Sequence, residues 1–282
     1  MNLTLSTADI IVPDRVPEQD ALKRTTHMGI GAHQDDLEMM AFHGLVECFG
    51  RADRWFTGVT CTDGAGSPRS GVYAGCTDDR MKQIRREEQR VAAAIGRYSA
   101  VIQTDHPSST VKNPADPRLT DDLVAILRLA RPKVIYTHNL ADKHDTHVAV
   151  ACAVIRAVRR LPMADRPAKL YGCEVWRDLD WLCGDDKTLL DVSGHEHLAA
   201  ALLGVYDSQI AGGKRYDLAG LGRRRANATY AESHAVDTTT EAMFAMDLTP
   251  LAQDDRMDVV KFVTERVRRL EADVAVRLKK NG

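Results

Sequence analysis

The sequence predicts an α/β protein in which a mainly parallel sheet is flanked by helices. Short apolar runs rich in β-branched residues alternate with segments of about 10–17 residues whose apolar positions recur every three or four residues. Strands and helices that alternate in this way build parallel sheets, and right-handed crossovers bring the loops after the strands to one edge. No change of composition divides the 282 residues, so we predict a single domain with a core over residues 26–235.

Six apolar runs, each bounded by turn-forming residues, are predicted to be strands. The first lies in an otherwise irregular lead-in of 25 residues. The second runs directly into a polar turn and then into a helix whose apolar residues recur at helical spacing from Leu37 to Leu45. The predicted strands cover residues 9–12, 28–32, 55–62, 100–104, 133–137 and 169–176.

The predicted helices are amphipathic, and one of them has a clear stop signal. Arg131 and Pro132 end the helix that precedes the fifth strand, because proline cannot continue a helix. We expect the last helix, rich in valine with basic residues between, to pack on the protein core rather than to bind a partner. The predicted helices start at residues 36 and 148 and cover residues 79–95, 119–129, 195–209 and 257–279.

Two polar segments are predicted to be loops at the functional edge of the sheet. Residues 63–76 contain several glycines and are long enough to form a mobile loop against a substrate. Residues 220–240 are polar and turn-rich, and we expect them to return over the same edge as a loop.

Composition and charge exclude several classes of protein. The 38 basic and 40 acidic residues leave a formal net charge of −2, so the bulk charge favours neither nucleic acid nor an anionic membrane as a partner. No apolar run approaches the roughly 18 residues that a membrane-spanning helix needs. The six cysteines include no C-x-x-C pair and the N-terminus lacks the pattern of a signal peptide, so we predict a reduced, cytoplasmic protein.

Polar residues that suit a metal ion follow the second predicted strand. The turn His33-Gln34-Asp35-Asp36 offers one imidazole and two carboxylates at the start of a helix. A phosphate-binding loop would instead present glycines and free backbone N–H groups, and two carboxylates would repel an anion. Asp35 and Asp36 are therefore interpreted as a base and a ligand, with helix capping as the alternative role for either.

A second polar group follows the fifth predicted strand. It contains His138 and the run His144-Asp145-Thr146-His147. Because the carboxyl ends of parallel strands meet at one edge of the sheet, the two groups can converge there. Together they offer two imidazoles and a carboxylate, and a catalytic zinc takes three such ligands while keeping a position for water.

With these two groups the sequence resembles the PIG-L/LmbE-like family of zinc-dependent N-deacetylases. The family motif A-H-P-D-D-E appears as residues 32–37, the motif H-P-D-H as residues 144–147, and T-D-G is intact at residues 62–64. An R-x-x-E-x-x-x-A pattern begins at Arg85. The resemblance covers residues 26–235 and implies a Rossmann-like fold with the active site at the C-terminal edge of the strands.

The resemblance also implies roles for individual residues. His33, Asp36 and His147 would hold zinc, although iron(II) fits the same ligands. Asp35 would be the general base that takes a proton from the attacking water. His144 would stabilise the oxyanion and help to protonate the leaving amine. The implied substrate is a small N-acetylglucosamine-type amino sugar or its conjugate. The sequence leaves the oligomeric state open, and a homo-oligomer is compatible with it.

Three further residues match family positions that contact substrate hydroxyls. They are Arg85, Asp63 and Asp105, for which a surface arginine and two turn-capping aspartates are the alternatives.

The chain also departs from the family pattern. Gln34 replaces the usual proline, and Thr146 replaces an aspartate that would orient a ligand histidine, a contact whose loss typically costs 10- to 100-fold in metal affinity or activity. We expect Asp142 or Asp145 to take over that role, with His138 as a further supporting residue.

Three rival functions remain open from the sequence. A metal-dependent amidase for a larger acyl or peptide-like amide would use the same centre. A metal- or sugar-binding relative impaired by Thr146 is a second alternative, against which the intact Asp35 and His144 argue. A nucleotide-binding module is disfavoured because no G-x-G-x-x-G follows the second strand.

Overall fold

A computed structural model describes all 282 residues and contains one eight-stranded sheet. The strands are β1 Asp9–Ile11, β2 His27–Gly31, β3 Phe56–Thr62, β4 Ala100–His106, β5 Val134–His138, β6 Lys169–Cys173, β7 Thr188–Asp191 and β8 Ala242–Asp247. Their order across the sheet is β1-β4-β3-β2-β5-β6-β8-β7. The five central strands, β4 to β6, are parallel, and the outer strands pair antiparallel, which confirms the predicted fold class.

Twelve α-helices connect the strands and cover the sheet. They are α1 Glu18–Lys23, α2 Asp36–Met40, α3 Phe42–Cys48, α4 Asp78–Ile95, α5 Ser108–Lys112, α6 Arg118–Ala130, α7 Asp145–Arg159, α8 Glu196–Gly204, α9 Asp207–Ile210, α10 Tyr216–Tyr230, α11 Thr249–Gln253 and α12 Val259–Asn281. None of them combines the length and the apolar content that crossing a membrane requires.

The order of the strands reverses beside β2. From β2 the chain builds outward through β3 and β4, and it then returns to add β5 and β6 on the other side of β2. Open parallel sheets bind ligands at such a reversal, in the crevice beyond the carboxyl ends of the strands. The turn after β2 and the loop after β5 therefore face each other across this crevice, as the sequence predicts.

Two apolar cores lie on opposite faces of the sheet. One is built from α1, α6, α7 and α11, against Met28 and Ile30 of β2. The other includes α2, α3, α4 and α8. On this second face a Cβ at Gly58 would lie 2.6 Å from Leu37 Cδ1, so the glycines of β2 and β3 let α2 pack close to the sheet. That close packing fixes the turn that precedes α2.

Several elements differ from the sequence prediction. The lead-in contains α1, the helix predicted over residues 195–209 is split into α8 and α9, and β7 and β8 were not predicted. The predicted loop at 220–240 is wrong for its first half, because α10 extends to Tyr230. This helix buries Arg224, Asn227 and Ala228. Its buried face is mostly polar, so it lacks the apolar periodicity from which a helix is recognised.

The last helix packs on the core only near its start. Phe262 is the one buried residue of α12, while Arg269 contacts the Asp186 carboxylate at 2.6 Å. The second half of α12 is exposed, so the prediction that the helix packs on the core holds for its first turns alone.

Candidate metal centre and catalytic cleft

The turn after β2 is held to β5 by a histidine. The backbone N–H of Ala32 donates to His138 Nε2 at 2.9 Å, and the N–H of His33 donates to Asp36 Oδ2 at 2.6 Å. Both bonds bend the chain so that the side chains of His33 and Asp36 point to the same place. The sequence folds this way locally because Asp36 is the first residue of α2 and its carboxylate reaches back over the turn.

Donor atoms of three residues from the two predicted groups meet beyond the strand ends. His33 Nδ1 lies 3.2 Å from Asp36 Oδ2 and 3.2 Å from His147 Nε2, and His147 Nε2 lies 3.5 Å from Asp36 Oδ1. Nitrogen and oxygen ligands about 2.0–2.1 Å from a tetrahedral zinc are about 3.3–3.4 Å apart. The distances between these atoms thus fit one small divalent ion.

The electrostatics of the three residues also fit a cation. Burial would raise the pKa of Asp36, but the imidazoles of His147 and His138 outweigh it and hold that pKa well below its usual value. Burial would lower the pKa of His147, but Asp36 and then Asp142 raise it. The centre therefore favours positive charge, which a bound cation or a proton on His147 would supply.

Two sets of three residues, both containing His147, each offer one donor atom per residue with all three atoms within 4.8 Å of one another. One is His33, His144 and His147, and the other is Asp36, His138 and His147. His138 is less suited to bind metal, because its Nε2 accepts the Ala32 N–H and its proton must then be on Nδ1. Its ring stacks on His147 with 3.8 Å between the ring centroids, and burial lowers its pKa to about 4. His138 therefore supports the centre from the side of the sheet.

Asp142 orients the ligand His147. Its Oδ2 atom lies 3.3 Å from His147 Nδ1, and its Oδ1 atom accepts the backbone N–H of His144 at 3.3 Å. A carboxylate on the second ring nitrogen fixes the tautomer of a metal-binding histidine. Asp142 thus has the contact that Thr146 cannot make, while Thr146 is buried in the cleft wall.

Asp145 does not take that role. It is exposed at the first turn of α7 and makes no hydrogen bond to any residue of the centre. Of the two aspartates that the sequence left as alternatives, only Asp142 thus makes the predicted contact. A carboxylate at a helix N-terminus is favoured there by the helix dipole and needs no further partner.

Asp35 lines the same cleft as His33, Asp36 and His147. Its backbone has φ 97°, and its side chain caps no helix N–H, so the capping role that the sequence left open is not realised. Its Oδ2 atom accepts a hydrogen bond from Arg85 Nη1 at 3.3 Å, and Arg85 also donates to the Gln34 carbonyl. Burial raises the pKa of Asp35 to about 7, against the opposing effect of Arg85 and with the added effect of Asp36. A carboxylate with such a pKa accepts and releases protons near neutrality.

His144 completes the group. Its ring centroid lies 5.0 Å from that of His33 and 4.6 Å from that of His147, and its Nδ1 is buried with no hydrogen-bond partner. Burial, followed by the two neighbouring imidazoles, lowers the pKa of His144. The ring therefore favours the neutral form, which carries a single N–H.

These residues line a polar cleft of about 290 Å³. Sequence reasoning missed much of its wall. Trp176 ends a predicted strand and Gln209 ends a predicted helix, which were usable signals. Nothing in the sequence marked Tyr216, because it begins the unpredicted helix α10. The cleft is lined by His33, Asp35, Asp36, Met39, Gly64, Gly66, Ser67, Pro68, Arg85, Ser108, Lys112, His144, Thr146, His147, Trp176, Gln209 and Tyr216.

Of the three predicted substrate contacts, only Arg85 lines this cleft. Asp63 pairs with Lys82 at 3.0 Å and accepts the Ala65 N–H at 3.1 Å. Asp105 pairs with Arg86 at 2.8 Å. Neither aspartate lines the cleft, because each pairs with a cation of α4, and their contact with a substrate stays a prediction.

Comparisons with solved structures show a shared fold. The N,N'-diacetylchitobiose deacetylase from Pyrococcus horikoshii is 16% identical with a TM-score of 0.58, over 78% of this chain and 83% of that one. The A40926 pseudoaglycone deacetylase is 15% identical with a TM-score of 0.57, over 79% and 97%. The 4-carboxy-2-hydroxymuconate hydratase from Pseudomonas putida KT2440 is 18% identical with a TM-score of 0.57, over 79% and 96%. Because a hydratase shares the fold, the fold alone does not determine the reaction.

Sequence comparison identifies the family. No curated protein matches the chain. The model of the PIG-L family, described as GlcNAc-PI de-N-acetylase, matches residues 28–158, which contain His33, Asp35, Asp36 and His147. This match confirms the family and the class of enzyme, an N-deacetylase, that the sequence predicts. Residues 28–158, just under half of the chain, are therefore similar to the PIG-L family of de-N-acetylases.

Proposed function

We propose that this protein is a metal-dependent hydrolase that removes the N-acetyl group from an N-acetylglucosamine-type amino sugar or its conjugate. The observation that carries the proposal is that donor atoms of His33, Asp36 and His147 meet pairwise within 3.5 Å, with one Asp36 oxygen near His33 and the other near His147. Asp35, whose pKa is raised to about 7, lies next to them.

Two imidazoles and a carboxylate are a donor set that suits zinc, and iron(II) suits it as well. A divalent ion bound by them would polarise the amide carbonyl and lower the pKa of a water molecule. Asp142 and His138 hold the ring of His147 in place for this purpose, through the 3.3 Å contact and the stacking described above.

Asp35 accepts a proton as water attacks the amide carbon. Arg85 holds its carboxylate in place from the side away from the solvent, and Arg85 is itself 2% exposed. Because the pKa of Asp35 is close to 7, the proton can leave again for the departing amine, directly or through His144. One residue thus supports both halves of the hydrolysis.

His144 donates its free N–H to the carbonyl oxygen as negative charge develops there. A donor positioned for that charge typically contributes 10²–10³-fold to the rate. The neutral state of the ring suits the role, because one nitrogen must carry a proton and the ring must not repel the neighbouring imidazoles.

The rim of the cleft suits a sugar. Ser67, Ser108, Lys112, Gln209 and Tyr216 provide donors and acceptors for hydroxyl groups, with Trp176 as an aromatic surface between them. A pocket with many polar groups around a few apolar ones favours a polyhydroxylated ligand over a lipid chain lying alone.

The test is metal analysis of the purified protein combined with acetate release from N-acetylglucosamine and a panel of its glycosides. We expect stoichiometric divalent metal, and acetate release that stops with a chelator and returns with zinc. The variant D35N should keep its metal and lose at least 10²-fold in turnover. D145N, an exposed acid at the same sheet edge, is the matched control and should remain active.

Two results would reject the proposal. Acetate release that survives complete removal of metal would exclude the role of the three donor atoms. Turnover by D35N at the rate of the unmodified protein would exclude Asp35 as the base.

A further inference from the structure

A second, largely apolar cavity adjoins the catalytic cleft. It has a volume of about 160 Å³ and shares Met39, Trp176 and Tyr216 with the cleft. No step of the proposed hydrolysis uses it. The cavity, which we call the apolar compartment, is lined by Met39, Glu174, Val175, Trp176, Tyr216, Ala219, Gly220, Arg223, Arg224 and Met243.

The carboxylate in its wall is bound to the protein. Glu174 accepts the backbone N–H of Leu179 at 2.9 Å, that of Phe244 at 3.2 Å, and the side-chain amide of Asn227 at 2.8 Å. Burial raises its pKa. Glu174 therefore has its hydrogen bonds without a ligand.

The two arginines in the wall are also directed at the protein. Arg223 donates to the Val175 carbonyl, and Arg224 donates to the Glu38 carbonyl at 2.7 Å. The guanidinium of Arg224 stacks on Phe42 at 4.0 Å, and its Nη1 atom is buried without a hydrogen-bond partner, so it is the one polar atom of Arg224 left unpaired beside the compartment. The groups left to contact a ligand are then mainly methylene, methyl and aromatic surfaces.

The compartment opens next to the catalytic groups. Trp176 and Tyr216 stand edge to face with their centroids 6.0 Å apart, and the Trp176 ring lies 6.5 Å from that of His144. The backbone N–H of Trp176 donates to Asp142 Oδ2 at 3.3 Å, which ties the compartment to the residue that orients His147. A substrate whose amide lies beside His144 therefore has the apolar compartment directly next to that amide.

We propose that the apolar compartment binds an apolar group of about six non-hydrogen atoms that the substrate carries near the amide. A dry apolar cavity of about 150 Å³ accommodates benzene in another protein, so a hexyl or phenyl group matches the size found here. This inference rests on the proposed function, because it names the substrate class of the same site. The group can belong to the acyl chain or to the aglycone of the sugar.

Two substrate series separate those sources. The first compares N-acetylglucosamine with its N-hexanoyl counterpart, and the second compares methyl with hexyl and phenyl glycosides of N-acetylglucosamine. Each buried methylene improves binding about fourfold, so we expect kcat/KM to rise at least tenfold in one series. N-succinylglucosamine, which has a similar length but ends in a carboxylate, should gain nothing.

A pair of neighbouring variants tests the location. Ala219 lies on the exposed face of α10 and lines the compartment, whereas Leu218 beside it is 60% exposed and does not. In A219W, the ratio of kcat/KM for the apolar substrate to kcat/KM for the short substrate should fall at least tenfold. The kcat/KM for the short substrate should stay within twofold of that of the unmodified protein. L218W adds the same side chain one position away and should leave kcat/KM for both substrates within twofold of the values for the unmodified protein.

Binding to the D35N variant separates failure of this inference from failure of the proposed function. Calorimetry with D35N needs no turnover, and the apolar ligand of the better series should bind at least tenfold more tightly than its short counterpart. Three results would each overturn the inference. They are equal affinities of D35N for the apolar and the short ligand, a kcat/KM advantage of the apolar substrate that persists in A219W, and a preference for the N-succinyl compound. Absence of hydrolysis by the unmodified protein, with the affinity difference intact, would instead reject only the reaction.

Discussion

Asp142 and Asp145 carry the same charge and lie three positions apart, yet only Asp142 contacts an imidazole of the centre. A partner on the second nitrogen of a metal-binding histidine typically changes metal affinity or activity by 10- to 100-fold. We therefore expect D142N to weaken zinc binding by about that factor, measured by competition with a chromogenic chelator.

The matched change D145N should leave zinc affinity within twofold, because the Asp145 side chain is exposed and has no partner in the centre. Equal zinc affinity of D142N and the unmodified protein would show that Thr146 or the backbone holds His147 well enough without the carboxylate.

At the scale of elements, the site depends on how closely α2 lies on the sheet. An added Cβ at Gly58 would stand 2.6 Å from Leu37 Cδ1 and 3.0 Å from the Tyr98 ring. Both side chains are buried, and the Tyr98 hydroxyl donates to Glu38, so neither moves freely. G58A should cost about 1–3 kcal/mol in the free energy of unfolding, measured with urea, and should weaken metal binding because α2 carries Asp36.

Gly66 gives the control for that change. No atom lies within 4 Å of a Cβ built at this position, so G66A should change the free energy of unfolding by less than about 0.5 kcal/mol. If both alanine variants are equally stable, the contact of α2 with β3 adapts more easily than the distances indicate.

Sequence reasoning succeeded where a periodic apolar pattern decides the element. The parallel strands, the long helix α4 and the turn after β2 were predicted, since each alternates or repeats clearly. The prediction failed where tertiary contacts decide the element. The polar face of α10 is buried against Glu174 and α2, and residues 188–191 become a strand only by pairing with β8.

The centre itself could be predicted because its residues are close in sequence to the ends of β2 and β5. The choice between Asp142 and Asp145, and the pairing of Asp63 with Lys82, depend on side-chain directions that no spacing reveals.

At the scale of the whole molecule, one buried aspartate joins three distant segments. Asp122 on α6 accepts from the Thr4 backbone N–H at 2.7 Å and pairs with His106 Nε2 at 2.8 Å. Burial would raise the pKa of Asp122, but the hydrogen bonds from His106 and Thr4 outweigh it and hold that pKa below its usual value. The carboxylate thus contributes stability that is present above the unfolded-state pKa of about 3.9 and is lost as the pH falls through the lower folded-state pKa.

D122N should therefore cost about 2 kcal/mol at pH 7, and its deficit should shrink as the pH falls below about 4. The neighbouring D121N removes an exposed pair with Arg160 and should cost less than about 1 kcal/mol at either pH. Unfolding in urea at pH 7 and pH 3 checks both variants. A deficit of D122N that is unchanged at low pH would mean that shape, rather than charge, makes the aspartate matter.

The left-handed backbone of Asp35 places the catalytic site in conflict with the stability of the fold. A non-glycine residue in a sparsely populated backbone region costs about 1–3 kcal/mol, and glycine avoids much of that cost. D35G should consequently melt at a higher temperature than D35A, and equal melting temperatures would show that the turn relaxes without strain. Glycine would suit this backbone conformation better than aspartate, so the strain at Asp35 is a stability cost that the proposed role of its carboxylate accounts for.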